Sequence, residues 1–209
     1  MDLSGGKNQV GCFWQPSLVL CDTAALSTLP EEQFQCGAAE VIKYGVIGSE
    51  TFFEELLETD IRDQLEHVIA VCVKMKRDVV QKDEFDTGER MLLNFGHTFG
   101  HAAEACSDFS ILHGQAVAMG MAVMARAALS RGRCSEDAVR KIEMILKKYG
   151  LPDQIPFSKE QLMKELVKDK KLAGGTMRVV LPEKIGTCVI EEMPVEKVEQ
   201  LLTDGGIGE

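Results

Sequence analysis

The segment that most restricts how this chain can fold is HGQAVAMGMAVMARAALSR, residues 113–131. Its length is that of a helix, yet Ala, Met, Val and Gly dominate it on every side. A helix apolar all round is buried all round, so other elements must sheathe this one closely. Helical periodicity supplies the sheath over 31–48, 50–58, 60–83, 89–106, 135–149 and 159–168. Gly48, the DEFDTG turn at 83–88, Ser107–Ser110, Gly132 and Gly150 with Pro152 separate these segments. Before them, residues 1–16 read as loop and LVLC (18–21) as a short buried strand. Asp22 or Thr23 can cap a turn, and STLPEE opens a helix with Pro near its first position and acids in its first turn. After them, MRVVL (177–181) and TCVIEE (187–192) alternate like a hairpin around the five-residue loop PEKIG. A last helix over 194–202 precedes a Gly-rich tail expected to fray. The expectation is a mainly α, multi-helix bundle with a small C-terminal β-hairpin.

Composition narrows the function classes. A length of 209 residues allows a substantial core. The net charge of −10, without a Lys/Arg block, argues against nucleic acid. No apolar run approaches the roughly 18 residues of a membrane span, and no charged-then-apolar leader opens the chain. The seven cysteines are scattered, never closer than nine apart and never in a CxxC pair. That pattern predicts reduced thiols, several of them small core residues, in a cytoplasmic protein with no membrane partner.

Placed on one continuous helix, Arg90, Asn94, His97 and His101 fall within an arc of about 60°, with Glu104 close by. The rest of that surface is apolar, so the stripe must face something polar: a functional site, a structural network, or solvent. Gly96 and Gly100 each cost a helix roughly 1 kcal/mol against Ala, which points to close approach by another helix. His113 opens the apolar helix, where the N-terminal dipole favours a neutral imidazole. His67 sits on a charged amphipathic stretch and reads as a plain surface residue. In GAAEVIKYGVI (37–47), Glu40, Lys43 and Tyr44 share one face. The first two form either an exposed i,i+3 ion pair or, if buried, a site in which Glu40 is an oxygen ligand. Two histidines and a glutamate make a zinc set with an open position. SGGKN lacks the residues of a phosphate loop, HTFGH is not HExxH, and neither GxGxxG nor a nucleophile elbow occurs.

In order, GGKNQVGCFWQPSLVLCDTAALSTLP, GAAEVIKYGVI, DEFDTGERMLLNFGHTFGHAAEA, LHGQAVAMGM, DKK and RVVLPEKIG make the chain resemble the 3-dehydroquinate synthase family. The match runs from near the start almost to the end. It concerns that family's C-terminal helical domain, of the dehydroquinate synthase-like and glycerol dehydrogenase-like kind. The family's N-terminal NAD-binding domain has no counterpart here. Residues 1–30 are therefore expected to be a linker, loop and short strand of the interdomain region, and 31–209 the metal- and substrate-binding domain.

The resemblance implies an NAD- and zinc-dependent carbon–oxygen lyase of the shikimate pathway to the aromatic amino acids. It would convert 3-deoxy-D-arabino-heptulosonate 7-phosphate to 3-dehydroquinate plus phosphate. Zinc (or cobalt) is implied at Glu40, His97 and His113, with His101 instead contacting phosphate and moving a proton. Asn8, Lys43, Lys76, Arg90, Asn94 and Lys170 (favoured over Lys171) would hold the phosphorylated keto acid. Lys7 and the loop Ala25, Leu26, Ser27 and Thr28 would touch NAD. Asp86 stands where the family usually has a catalytic Glu, one methylene longer, and Gln115 replaces the usual Glu after LHG. The intact enzyme is implied to be a homodimer, and these 209 residues alone to bind zinc without NAD and without turnover. The alternatives are another sugar-phosphate cyclase, a metal-dependent alcohol dehydrogenase of the same superfamily, or a stand-alone helical binding module that keeps the metal site. Glu40 and the Arg90/Asn94 pair argue against the dehydrogenase.

Overall fold

The computed structural model describes residues 10–12, 14–86, 88–170 and 175–208, with only the backbone of 168–170. The helices are α1 (Glu31–Gly48), α2 (Glu50–Glu58), α3 (Leu65–Lys82), α4 (His97–Cys106), α5 (His113–Ser130), α6 (Glu136–Lys148), α7 (Lys159–Lys170) and α8 (Val195–Asp204). Short 3-10 segments cover Thr23–Thr28, Ile61–Gln64 and Glu89–Asn94, and strands β1 (Thr176–Lys184) and β2 (Thr187–Pro194) form an antiparallel pair. The mainly helical expectation holds.

The apolar segment is the axis of the fold. Residues 116–125 of α5 are buried without interruption, and α1, α4, α6, α8 and β1 pack around them. Each fully buried Val or Met side chain there contributes roughly 1.5–3 kcal/mol. The one arginine in this helix, Arg126, is half-buried and held by Glu143 (Nε–Oε1 2.7 Å) and Asp153 (Nη2–Oδ2 3.0 Å). Local signals set the other helix ends. Asp22 caps the first 3-10 segment through Ala24 N–H (2.9 Å), and Ser49 and Ser135 cap α2 and α6. At the end of α2, Lys148 donates to the carbonyls of Leu56, Leu57 and Thr59.

Several expectations fail for identifiable reasons. LVLC forms no strand: no partner strand lies beside it among the described residues, and Leu20 is 86% exposed. The hairpin strands run longer than foreseen, leaving only Ile185–Gly186 between them, with an irregularity between Pro182 and Lys184. Gly186 N–H donates to the Val46 carbonyl (2.9 Å), tying this turn to α1. The tail does not fray. Ile207 is buried, and the Gly208 carbonyl accepts from Lys159 N–H. All seven cysteines are free, but only Cys134 is buried, while Cys12 and Cys21 are exposed. No helix among the described residues is long and apolar enough to cross a membrane.

The largest departure is that 89–106 is not one helix. Glu89–Asn94 is a 3-10 turn, Gly96 takes φ 79°, and α4 starts at His97. The helix is interrupted there because α5 crosses at contact distance. A Cβ on Gly96 would stand 2.6 Å from both Met121 Cγ and the Val117 carbonyl. The close approach expected of these glycines is real, but it breaks the helix rather than joining two continuous ones.

Candidate metal centre

α1, α4 and α5 each bring one side chain to a common point. Glu40 comes from the middle of α1, and His97 and His113 are the first residues of α4 and α5. His97 Nε2 is 3.5 Å and His113 Nε2 3.7 Å from the same oxygen, Glu40 Oε1. The other carboxylate oxygen, Oε2, accepts from Lys43 Nζ at 2.6 Å. Lys43 is only 3% exposed and the Glu40 side chain 34%, so the i,i+3 pair is buried at its lysine and half-buried at its carboxylate. Oε1 is buried and has no hydrogen-bond partner. Tetrahedral zinc with nitrogen and oxygen ligands spaces its ligand atoms roughly 3.3 Å apart, close to these separations. An orphaned buried oxygen facing two imidazole nitrogens fits a divalent cation.

The electrostatics follow from what each group touches. Burial pushes the Glu40 carboxyl up, but the nearby His113 imidazole and the Lys43 charge outweigh it, bringing it down to about 2. Burial, helped by the Lys43 charge, lowers His97 to about 4. Lys43 is itself lowered by burial, against the pull of Glu40. At His113 the helix dipole, which favours a neutral ring, is opposed by carboxylates from other helices. The His113 Nδ1 is 3.1 Å from Glu104 Oε2, and that hydrogen bond, with the Glu40 carboxylate nearby, raises the ring to about 9. Two carboxylates from other helices outweigh one helix terminus.

The remaining site residues are placed unevenly. His101, one turn along α4, is exposed; its ring centroid is 5.3 Å from His97 and 5.8 Å from His113, roughly stacked on the latter. Lys76 on α3 is exposed and close enough to depress Lys43. Because the helix breaks, Arg90 and Asn94 do not continue the histidine stripe. They sit on the preceding 3-10 segment, which packs against α1, α3 and the hairpin. Arg90 is held by Asp83 Oδ2 (N–H, 3.0 Å) and the Glu84 carbonyl (Nη1, 2.6 Å), and Asn94 is exposed. Asp86 takes φ 59°, and its Oδ1 is buried without a hydrogen-bond partner. Ala25, Leu26, Ser27 and Thr28 form the first 3-10 turn, at the surface. Lys170 closes α7, which packs on α4, but its side chain, like Lys7, Asn8 and Lys171, lies outside the described residues. His67 is exposed beside Glu55, as expected. The residue given no role in advance is Glu104. It is the only acidic residue in α4, and its contact with His113 could not be read from spacing.

The fold is shared with solved synthases that carry NAD+ and a divalent metal ion. A 2-deoxy-scyllo-inosose synthase, solved with carbaglucose-6-phosphate, NAD+ and Co2+, superposes with TM-score 0.78 at 25% identity, covering 96% of this chain and 60% of that one. A 2-epi-5-epi-valiolone synthase from Streptomyces hygroscopicus subsp. jinggangensis, solved with NAD+ and Zn2+, shares the fold with TM-score 0.82 at 24% identity, covering 98% and 59%. The family model for the 3-dehydroquinate synthase C-terminal region matches residues 37–172, and that for the N-terminal region matches 1–36. Curated 3-dehydroquinate synthases from Pelobacter propionicus (41% identity, 99% of this chain, 59% of the relative) and Vibrio atlanticus (44%, 94% and 57%) agree. The chain belongs to the 3-dehydroquinate synthase family. It spans less than two thirds of the length of these relatives.

Proposed function

We propose that this chain provides the metal- and substrate-binding part of a 3-dehydroquinate synthase, the enzyme that converts 3-deoxy-D-arabino-heptulosonate 7-phosphate to 3-dehydroquinate plus phosphate. The observation that carries the reading is Glu40 Oε1, buried, without a hydrogen-bond partner, and faced by the Nε2 atoms of His97 and His113. Those three residues would hold a zinc or cobalt ion, whose contribution is Lewis acidity toward a substrate hydroxyl. Lys43 keeps Glu40 ionised and, with Lys76, Arg90 and Asn94, offers charge and hydrogen bonds to a phosphorylated acid. His101, exposed at the mouth of the cluster, takes the phosphate contact and the proton transfer. Asp86, an acidic residue in a left-handed conformation with an orphaned oxygen, serves as a second proton-transfer group on the loop that leads to Arg90. Lys7, Asn8 and Lys170 complete the phosphate and NAD contacts, with the surface turn 25–28. In this reading residues 1–30 adjoin the nucleotide-binding part, and 31–209 form the domain described.

Metal analysis tests the centre. Zinc is expected to co-purify with wild type and His101→Ala, and to be lost from Glu40→Ala, His97→Ala and His113→Ala. Retention of zinc by any of the three, with the fold intact, refutes the ligand set. The 209 residues alone are expected to show no turnover with the heptulosonate phosphate, NAD and zinc, and measurable dehydroquinate refutes that expectation. The structural likeness to cyclases that make other rings favours a second reading, a different sugar phosphate as substrate. A substrate panel on a protein carrying the whole length of the family's relatives separates the two.

A further inference from the structure

We propose that Glu104 is the positioning residue of this centre: it holds His113 with the proton on Nδ1, so that Nε2 is the atom presented to the metal. The inference rests on the reading of Glu40, His97 and His113 as ligands. Both histidines have Nδ1 engaged by an oxygen. His97 Nδ1 is 3.1 Å from the Phe95 carbonyl, and His113 Nδ1 is 3.1 Å from Glu104 Oε2. A carbonyl and an ionised carboxylate only accept, so each ring donates from Nδ1 and turns Nε2 to Glu40 Oε1. With the proton on Nε2 instead, His113 would set a nitrogen lone pair against the Glu104 carboxylate and an N–H where the metal belongs.

The two histidines differ in what supplies the acceptor. His97 is half-buried and uses the backbone of the turn that precedes it. His113 is more exposed, at the start of α5, and needs an acceptor from another helix. Glu104 is only 5% exposed and is the sole charged residue in α4 apart from its histidines. A buried carboxylate is costly unless partnered, and one oxygen of this one meets a ring that already touches the site. A carboxylate behind a ligating imidazole also makes that imidazole the stronger donor. Glu104, His101 and His113 are near enough to hold an ion themselves, so the test must separate a positioning role from a ligand role.

The test is zinc affinity of the 209-residue chain, measured by chelator competition, with far-UV circular dichroism to verify the fold. Glu104→Ala is expected to weaken zinc about 10- to 100-fold at unchanged helicity and one ion per chain. Glu104→Gln, which keeps an uncharged acceptor, should fall between it and wild type. The Co2+ ligand-field bands of loaded Glu104→Gln should match those of wild type, because Glu104 is not a ligand. A folded Glu104→Ala within about twofold of wild-type affinity overturns the proposal. So does a His97→Ala chain that keeps a zinc ion which Glu104→Ala abolishes, since Glu104 would then be a ligand. If Glu104→Ala loses helicity, Glu104→Gln decides: weaker binding supports the proposal and unchanged binding overturns it. A wild-type chain that takes no zinc refutes the ligand reading itself, a result distinct from intact wild-type binding that the variants leave untouched.

Discussion

Replacing Gly120 by alanine tests how the packing of two helices sets the geometry of the centre. A Cβ at Gly120 would lie 1.9 Å from the Gly96 carbonyl oxygen, 2.8 Å from its carbon and 3.0 Å from Gly100 N. All three are backbone atoms that no rotamer change can move aside. Against an ordinary contact of about 3.5 Å, α4 and α5 must part by roughly 1.5 Å. Overpacking of this kind costs about 1–3 kcal/mol, and the better helix propensity of alanine returns up to about 1. A backbone clash this short belongs at the upper end, for a net loss of about 2 kcal/mol, or roughly 4–8 °C in melting temperature at this chain length. His97 stands at the start of α4 and His113 at the start of α5, so the same displacement opens the site. Metal sites tolerate about 0.2 Å in ligand distance, and zinc affinity should fall at least about tenfold. Gly37→Ala is the control. Gly37 lies inside α1 with nothing within 4 Å of a new Cβ, so the variant should gain about 0.4–1 kcal/mol and keep zinc. Both variants would be melted by circular dichroism in excess chelator and then titrated with zinc. A Gly120→Ala chain that melts as high as Gly37→Ala and binds zinc like wild type would refute the reasoning.

Three further outcomes follow from other contacts. Tyr149→Phe leaves Ile61 N–H without the hydroxyl it donates to at 3.0 Å and removes the bond to the Leu56 carbonyl; chemical denaturation should show a loss of about 1–3 kcal/mol. At saturating zinc, about 100 times its dissociation constant, wild type should gain about 2.7 kcal/mol and His113→Ala nothing, as read by thermal melts with and without the ion. Burial pushes the Asp204 carboxyl up, but Gln200 Nε2 (2.9 Å) and Arg131 Nε (2.7 Å) outweigh it and hold it below its usual value. A lowered carboxyl stabilises the fold above its unfolded value and stops doing so as pH falls through the folded one. The stability difference between wild type and Asp204→Asn should therefore be constant from pH 7 to about 5 and shrink below about 4. A difference that grows on acidification would contradict the assignment.

What the sequence disclosed, and what it hid, divides by the range of the interaction. The bounds of α1 and α2 coincide with the pattern because Pro30, Ser49 and the acids of the first turns act within a few residues. The central burial of α5 was legible for a similar reason, since its composition leaves no polar face. The break at Gly96 was not legible. A 3.6-residue period runs through 89–106 unchanged, and the break is imposed by Val117 and Met121, residues that meet Gly96 only in the fold. The error had a chemical consequence. It kept Arg90 and Asn94 on the histidine stripe, whereas the break makes His97 the first residue of its own helix and leaves the Phe95 carbonyl free to receive its Nδ1. The partners of His113 were hidden in the same way, because the dipole of α5 is local and Glu40 and Glu104 arrive from α1 and α4. A local pattern can nominate ligands, but it cannot show which ring nitrogen faces the ion. That is decided by the oxygen behind each ring, one from the turn before α4 and one from a glutamate on the neighbouring helix.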